Sequence, residues 1–215
     1  MKTQPKPLIL KTCRDLLLKA GFKPSDSGWD GEDAMEKDEG DIRCLLRETP
    51  NNSWEEKRGT YLMIQIFIRD PSLKGTGNPL EWPGVLDAYL KQRGVVAGDN
   101  SNVLVFYESD AAVAREKVEK VLLPWVATVA NMEWLRMHYE KLVEQLKPQR
   151  KFFGLIEKRV KERPIYHHYL SLLRWHCGDR QGAIEEAKRY LELLPDNEES
   201  VRWYKWLTQP GNQSR

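Results

Sequence analysis

Hydrophobic positions follow two different rhythms along this chain. Over residues 7–20, Ile9, Cys13, Leu16, Leu17 and Ala20 recur at helical spacing, and Gly21 offers a left-handed stop. Residues 23–40 are polar and turn-rich, and the acidic run EDAMEKDEGD reads as a solvated loop. IRCLLR then alternates, with Ile42, Cys44 and Leu46 on one side and Arg43 and Arg47 on the other, which predicts a half-buried strand. PNNSWEEKRG connects it to a second strand, YLMIQIFIRD, whose Leu62, Ile64, Ile66 and Ile68 share one face and belong to a core. The stretch PSLKGTGNP reads as a loop, EWPGVLDAYLKQRG as a short helix and VLVFY as a short strand. Ser109 or Asp110 caps a further helix with Ala114, Val118, Val121, Leu122 and Trp125 on one face, kinked or ended by Pro124.

From about residue 131 the strand signal vanishes. Helical patterns run over 131–146, 149–162, 164–177, 180–194 and 198–208, punctuated by Pro148, Pro164 and Pro195. The pattern predicts an α+β fold: a small mixed or antiparallel sheet with packed helices over 1–145, then an all-α extension over 146–215.

Residues 164–197 carry the most specific local pattern. Leu170 and Ser171 lie in a first helix, Gly178-Asp179 forms a turn, Ala183 is a small residue early in a second helix, and Pro195-Asp196-Asn197 closes the unit. Ser171 and Ala183 let two helix backbones approach, and Gly178 supplies a conformation that other residues resist. In this register the segment resembles a tetratricopeptide repeat, a helix–turn–helix unit of about 34 residues. Arg174 and Tyr190 depart from it, standing where that family prefers an aromatic residue and an alanine. A single repeat depends on its neighbours for burial, and here the helices at 149–162 and 198–208 are placed to supply it.

The resemblance implies that Ile165, His168, Leu172, Trp175 and His176 line the inner face. Repeats of this family that grip a chain-terminal carboxylate place Lys and Asn at two of these positions, occupied here by His168 and Leu172. Leu172 with Trp175 suggests an apolar anchor for a partner, since Trp is frequent among binding hot spots. The plainer reading is that both pack against the N-terminal domain or a neighbouring helix. Trp203 and Trp206 on the last helix are further candidates for partner contact. More broadly, residues 8–145, with a first helix ending in AGF and a later one ending in VLLPW, are similar to a family of small bacterial domains of unknown function, which implies a bacterial or phage origin.

Composition narrows the functional classes. A chain of 215 residues with 40% hydrophobic and 31% charged positions supports a packed core. Its net charge of +2 argues against a protein that coats nucleic acid. Cys13, Cys44 and Cys177 are odd in number and show no metal-ligand spacing, which fits a reducing cytoplasm. The N-terminal apolar run is broken by Lys11, Arg14 and Asp15, and no stretch approaches a membrane span, so neither a signal peptide nor a membrane anchor is expected.

Catalytic and metal signatures are weak. Counting from Asp30, the sixth residue is Met35, where a calcium loop of the EF-hand type needs Gly. His168 and His176 are separated by two helical turns, about 12 Å along the axis, too far to share an ion. KGTGN lacks the rest of a phosphate or dinucleotide loop. No cofactor is implied. The strongest charge feature is KPQRKFFGLIEKRVKERP, in which Lys147, Arg150, Lys151, Lys158, Arg159, Lys161 and Arg163 flank Phe152 and Phe153. Such a segment can bind nucleic acid through phosphate contacts and stacking. Its plainer reading is an amphipathic helix with Phe153, Ile156 and Val160 inside. These observations together lead to the expectation of a non-enzymatic, cytoplasmic protein-interaction protein (adaptor, regulator or immunity-type inhibitor). A nucleic-acid-associated accessory role for residues 147–163 is the alternative.

Overall fold

The computed structural model describes residues 9–25, 34–50, 59–73, 76–79, 103–107, 111–146 and 163–212. The helices expected over 81–94 and 149–162 lie outside these residues. The described elements are α1 (Ile9–Thr12), α2 (Arg14–Lys19), β1 (Lys23–Pro24), β2 (Ala34–Glu39), β3 (Ile42–Pro50), β4 (Gly59–Arg69), β5 (Thr76–Pro79) and β6 (Val103–Tyr107). They continue with α3 (Ala111–Lys117), a π-helical turn (Val118–Leu122), α4 (Leu123–Val129), α5 (Met132–Leu146), α6 (Pro164–His176), α7 (Arg180–Leu193) and α8 (Glu198–Thr208). The architecture is α+β. The chain divides into two compact units, Met1–Arg69 with Asn78–Ala130, and Asp70–Gly77 with Asn131–Arg215. The division thus falls before α5, ahead of the expected 145/146 boundary, and the second unit also takes in Asp70–Gly77 from the middle of the chain.

The strand order is β1-β2-β3-β4-β5, with β6 also pairing β4. The pairs β1–β2, β2–β3, β3–β4 and β4–β6 are antiparallel. The β3–β4 register sets Ile42 opposite Ile68, Cys44 opposite Ile66 and Leu46 opposite Ile64. All six side chains are buried on one face, as their alternation predicts.

The acidic run is a correction. AMEKDE is strand β2, not a solvated loop, paired along its length with β3. Glu39 pairs with Ile42 across a two-residue turn. Gly40 enters that turn at φ 62°, a left-handed value suited to tight hairpins. Charged residues have low strand propensity, so β2 is specified by its partner rather than by its own sequence. Residues 76–79, expected in a loop, likewise form β5.

Pro124 does not end its helix. The preceding turn widens to π geometry, with the Leu123 N–H bonded to the Val118 carbonyl, and the helix continues as α4. A π turn takes up an irregularity in the ladder without interrupting the helix, and Val118, Val121, Leu122 and Trp125 stay buried.

Glu48 ties the sheet to the first helix. It sits on the same β3 face as Ile42, Cys44 and Leu46 and is 3% exposed. Its carboxylate accepts the Ile9 N–H at 2.6 Å and the Leu10 N–H at 2.8 Å. Those are first-turn amides of α1, which have no partner within the helix. On the other side, the Arg115 guanidinium donates to the Thr12 carbonyl at 2.9 Å and grips the Asp15 carboxylate at 2.6 and 2.7 Å, joining α3 to the first two helices. Glu48→Ala is expected to destabilise the first unit by about 1–3 kcal/mol for each buried amide left unpaired. Hydrogen exchange at the Ile9 and Leu10 amides should accelerate well above that of the β4 core, and unchanged protection there would contradict the assignment.

Candidate functional site

The second unit is built on a helical hairpin followed by a third helix. Pro164 opens α6, where its missing N–H costs nothing. The helix stops at Gly178, which adopts φ 85°. There the Gly178 N–H donates to the Trp175 carbonyl at 3.1 Å and the Asp179 N–H to the Arg174 carbonyl at 2.9 Å, an orderly left-handed termination. Asp179 then caps α7 by accepting the Gly182 N–H at 2.9 Å. The Asp179 carboxylate and the Arg174 guanidinium close over Gly182, and both would have to shift to admit a Cβ there. Beyond Pro195, Asn197 caps α8 by accepting from the Glu199 and Ser200 amides at 3.0 and 3.1 Å.

Ser171 joins all three helices. It is fully buried, its Oγ donates to the Ala183 carbonyl of α7 at 2.6 Å, and it accepts from Trp203 Nε1 of α8 at 2.8 Å. A hydroxyl has one proton and two lone pairs, so one small side chain serves two neighbours at once. Ala183 and Ala187, both 0% exposed, add no bulk that would push the helices apart.

The residues expected at a partner surface divide into two groups. His168, Leu172, Trp175 and Trp203 are interior, at 3%, 3%, 7% and 0% exposure. They are core residues, not a docking face, which corrects the anchor reading of Leu172 and Trp175. The reason is geometric. Trp203 sits edge-on to His168 and Trp175, and its indole N–H is committed to Ser171. Trp206 and His176 keep partial exposure. Trp206 stacks on Trp203 at 5.4 Å between centroids and meets Trp175 edge-on at 4.9 Å. Over the Trp175 ring lies the Arg180 guanidinium, 3.3 Å from the centroid, which also donates to the Trp175 carbonyl at 2.9 Å. Of the basic candidates, only Arg163 is among the described residues. It is exposed, and its Nη1 lies 3.4 Å from the Tyr166 hydroxyl. Lys147, Arg150, Lys151, Lys158, Arg159 and Lys161 lie outside the described residues.

Two polar networks that the hydrophobic pattern does not show link the helices. In the first, Arg174 reaches Glu140 of α5 at 3.3 Å and, more distantly, Glu186 of α7 at 3.8 Å, while His167 Nδ1 is 2.6 Å from Glu186. In the second, the Tyr190 hydroxyl donates to Glu199 at 3.0 Å and His168 Nε2 lies 3.6 Å from the same carboxylate. Arg202 contacts Asp70 at 3.6 Å and donates to Ser72 Oγ at 3.3 Å. Burial lowers the His168 pKa to about 4; Asp70 opposes the shift and Arg202 adds to it. Burial, and then Glu199, push the Tyr190 phenol well above its ordinary value. The signal for these networks was present in the repeat pattern: Arg174 and Tyr190 are the two positions that depart from it, and each brings its own carboxylate partner.

Nothing among the described residues assembles into a metal centre; no group of three or more His, Cys, Asp or Glu is placed to hold an ion. Cys177 is solvent-exposed as a residue, yet partial burial of its sulfur and a hydrogen bond to Glu133 push the thiol up to about 11. A thiol at that value is protonated near neutral pH and is a poor nucleophile. Among the described residues no helix is long and apolar enough to cross a membrane.

The lowered His168 pKa fixes a pH dependence. The folded unit binds a proton at this site less readily than the unfolded chain, so the stabilising contribution is complete above about pH 6.5 and falls as pH drops toward 4. Urea midpoints of wild type and His168→Phe should therefore converge as pH falls through this window, with the variant showing the shallower slope. Parallel slopes would contradict a neutral buried imidazole. Comparison of the chain with protein-family models, with curated proteins and with solved structures gave no match.

Proposed function

We propose that this chain acts by binding another protein through its C-terminal helical unit, as an adaptor, regulator or immunity-type inhibitor in the cytoplasm. The observation that carries the reading is the α6–α7–α8 stack fastened at Ser171. Such stacks present helix faces at fixed spacing, the property that repeat proteins use to hold partners. With Leu172 and Trp175 buried, the contact surface this reading favours is the accessible margin of the stack, where His176, Arg180 and Trp206 combine cationic and aromatic groups suited to a protein hot spot.

The test is affinity capture with the full chain as bait, with and without nuclease, comparing wild type with the double variant His176→Glu/Arg180→Glu. The expected result is a specific protein that resists nuclease and drops at least tenfold in the variant, with the helical circular-dichroism signal unchanged. Capture that disappears on nuclease treatment and weakens steeply with salt would instead favour nucleic acid bound by residues 147–163.

A further inference from the structure

Asp70 occupies an unusual position. It directly follows the last residue of β4, yet it clusters with the helical unit. It is 1% exposed, a strong burial for a carboxylate. Its Oδ1 accepts from the Ser72 amide at 2.8 Å and from the Ser72 hydroxyl at 2.6 Å, and its carbonyl accepts the Leu73 N–H at 3.1 Å. This is a compact Asx turn at Asp-Pro-Ser.

The turn is held by one residue of α8. Arg202 places one nitrogen 3.6 Å from Asp70 Oδ2 and another 3.3 Å from Ser72 Oγ, a two-point grip on a carboxylate and a hydroxyl. Glu199, one helical turn earlier, is engaged by Tyr190 and faces His168, so it competes only weakly for Arg202, at 4.0 Å. The grip is incomplete. Among the described residues no protein group donates a hydrogen bond to Asp70 Oδ2, and none pairs with the buried Nδ1 of His168. A carboxylate oxygen whose protein partner is a long ion pair is held loosely. The tether favours its occupancy, since a segment of the same chain is present at an effective concentration of about millimolar or more. A buried, locally hydrogen-bonded acidic turn, gripped loosely at two points, has the character of a ligand held in cis.

We propose that Asp70–Leu73 is an intramolecular ligand of the helical unit, occupying on α8 the place where an acidic Asp-x-Ser turn of a partner protein binds, so that segment and partner exclude one another. The proposal rests on the protein-binding reading above and specifies its regulation. Arg202 is the determinant that recognises the carboxylate and the hydroxyl together. A partner that also satisfies the open Oδ2 position gains over the internal segment without any other change in the helices.

The experiment uses full-length protein and a fluorescein-labelled peptide reproducing residues 67–75. Asp70→Asn/Ser72→Ala in the protein weakens the internal occupant. The expected result is peptide binding at least tenfold tighter to this variant than to wild type. It should be lost when the peptide's own Asp is replaced by Asn or when Arg202→Ala is added to the protein. Should the double variant fold poorly, Ser72→Ala alone keeps the carboxylate and is expected to give an intermediate gain. Binding that is equal in all the proteins, absent from all, or indifferent to the peptide's Asp overturns the proposal. If that happens while wild type still captures its partner, the partner uses another surface and the protein-binding reading stands.

Discussion

The helical unit depends on one buried hydroxyl. Ser171 is the point at which α6, α7 and α8 meet, and it does so with a donor and an acceptor used in opposite directions. Removing either partner leaves a polar group buried without a bond, at about 1–3 kcal/mol. Size matters as much as bonding. A larger residue at 171 would separate α6 from Ala183, and the distance that makes the carbonyl bond possible would be lost. The Trp203 indole follows from the same constraint, because its N–H has a partner in the interior only while Ser171 is there. With Trp203 fixed, Trp206 stacks on it and Trp175 packs against both.

Around this hub polar networks supplement the apolar packing. Arg174 links α5, α6 and α7 through Glu140 and Glu186, and Tyr190 links α7 to α8 through Glu199. Each group in these networks has few alternative partners, so the networks restrict which helix faces can meet. The same logic extends to Asp70. A carboxylate from the middle of the chain is drawn to Arg202 of the last helix, so the helical unit includes a segment far from it in sequence.

The elements that were legible in the sequence are those whose pattern is dictated by burial. Strand β4 shows its face through Leu62, Ile64, Ile66 and Ile68, and the α6–α7 hairpin shows its turn through Gly178 and Asp179, where only certain residues adopt the required backbone. Strand β2 was not legible, because AMEKDE carries no alternation of its own and is recruited by hydrogen bonds to β3. The candidate site was half legible. The inner-face register picked out His168, Leu172 and Trp175, all three of them buried, but periodicity cannot say whether a face meets solvent or protein. The contribution of Asp70 and Ser72 had no local signal at all, since it depends on a contact across 130 positions of chain.

The most direct test of the central claim is a double-mutant cycle on Ser171→Ala and Trp203→Phe, with unfolding of the full chain in urea followed by far-ultraviolet circular dichroism. Trp203→Phe keeps an aromatic ring and removes the N–H, so the cycle isolates the hydrogen bond at the hub. Each single change is expected to destabilise, and the pair to be non-additive by about 0.5–3 kcal/mol, as for side chains in direct contact. Strict additivity would mean that Ser171 and Trp203 act independently and that the indole hydrogen bond does not fasten α8 to the hub.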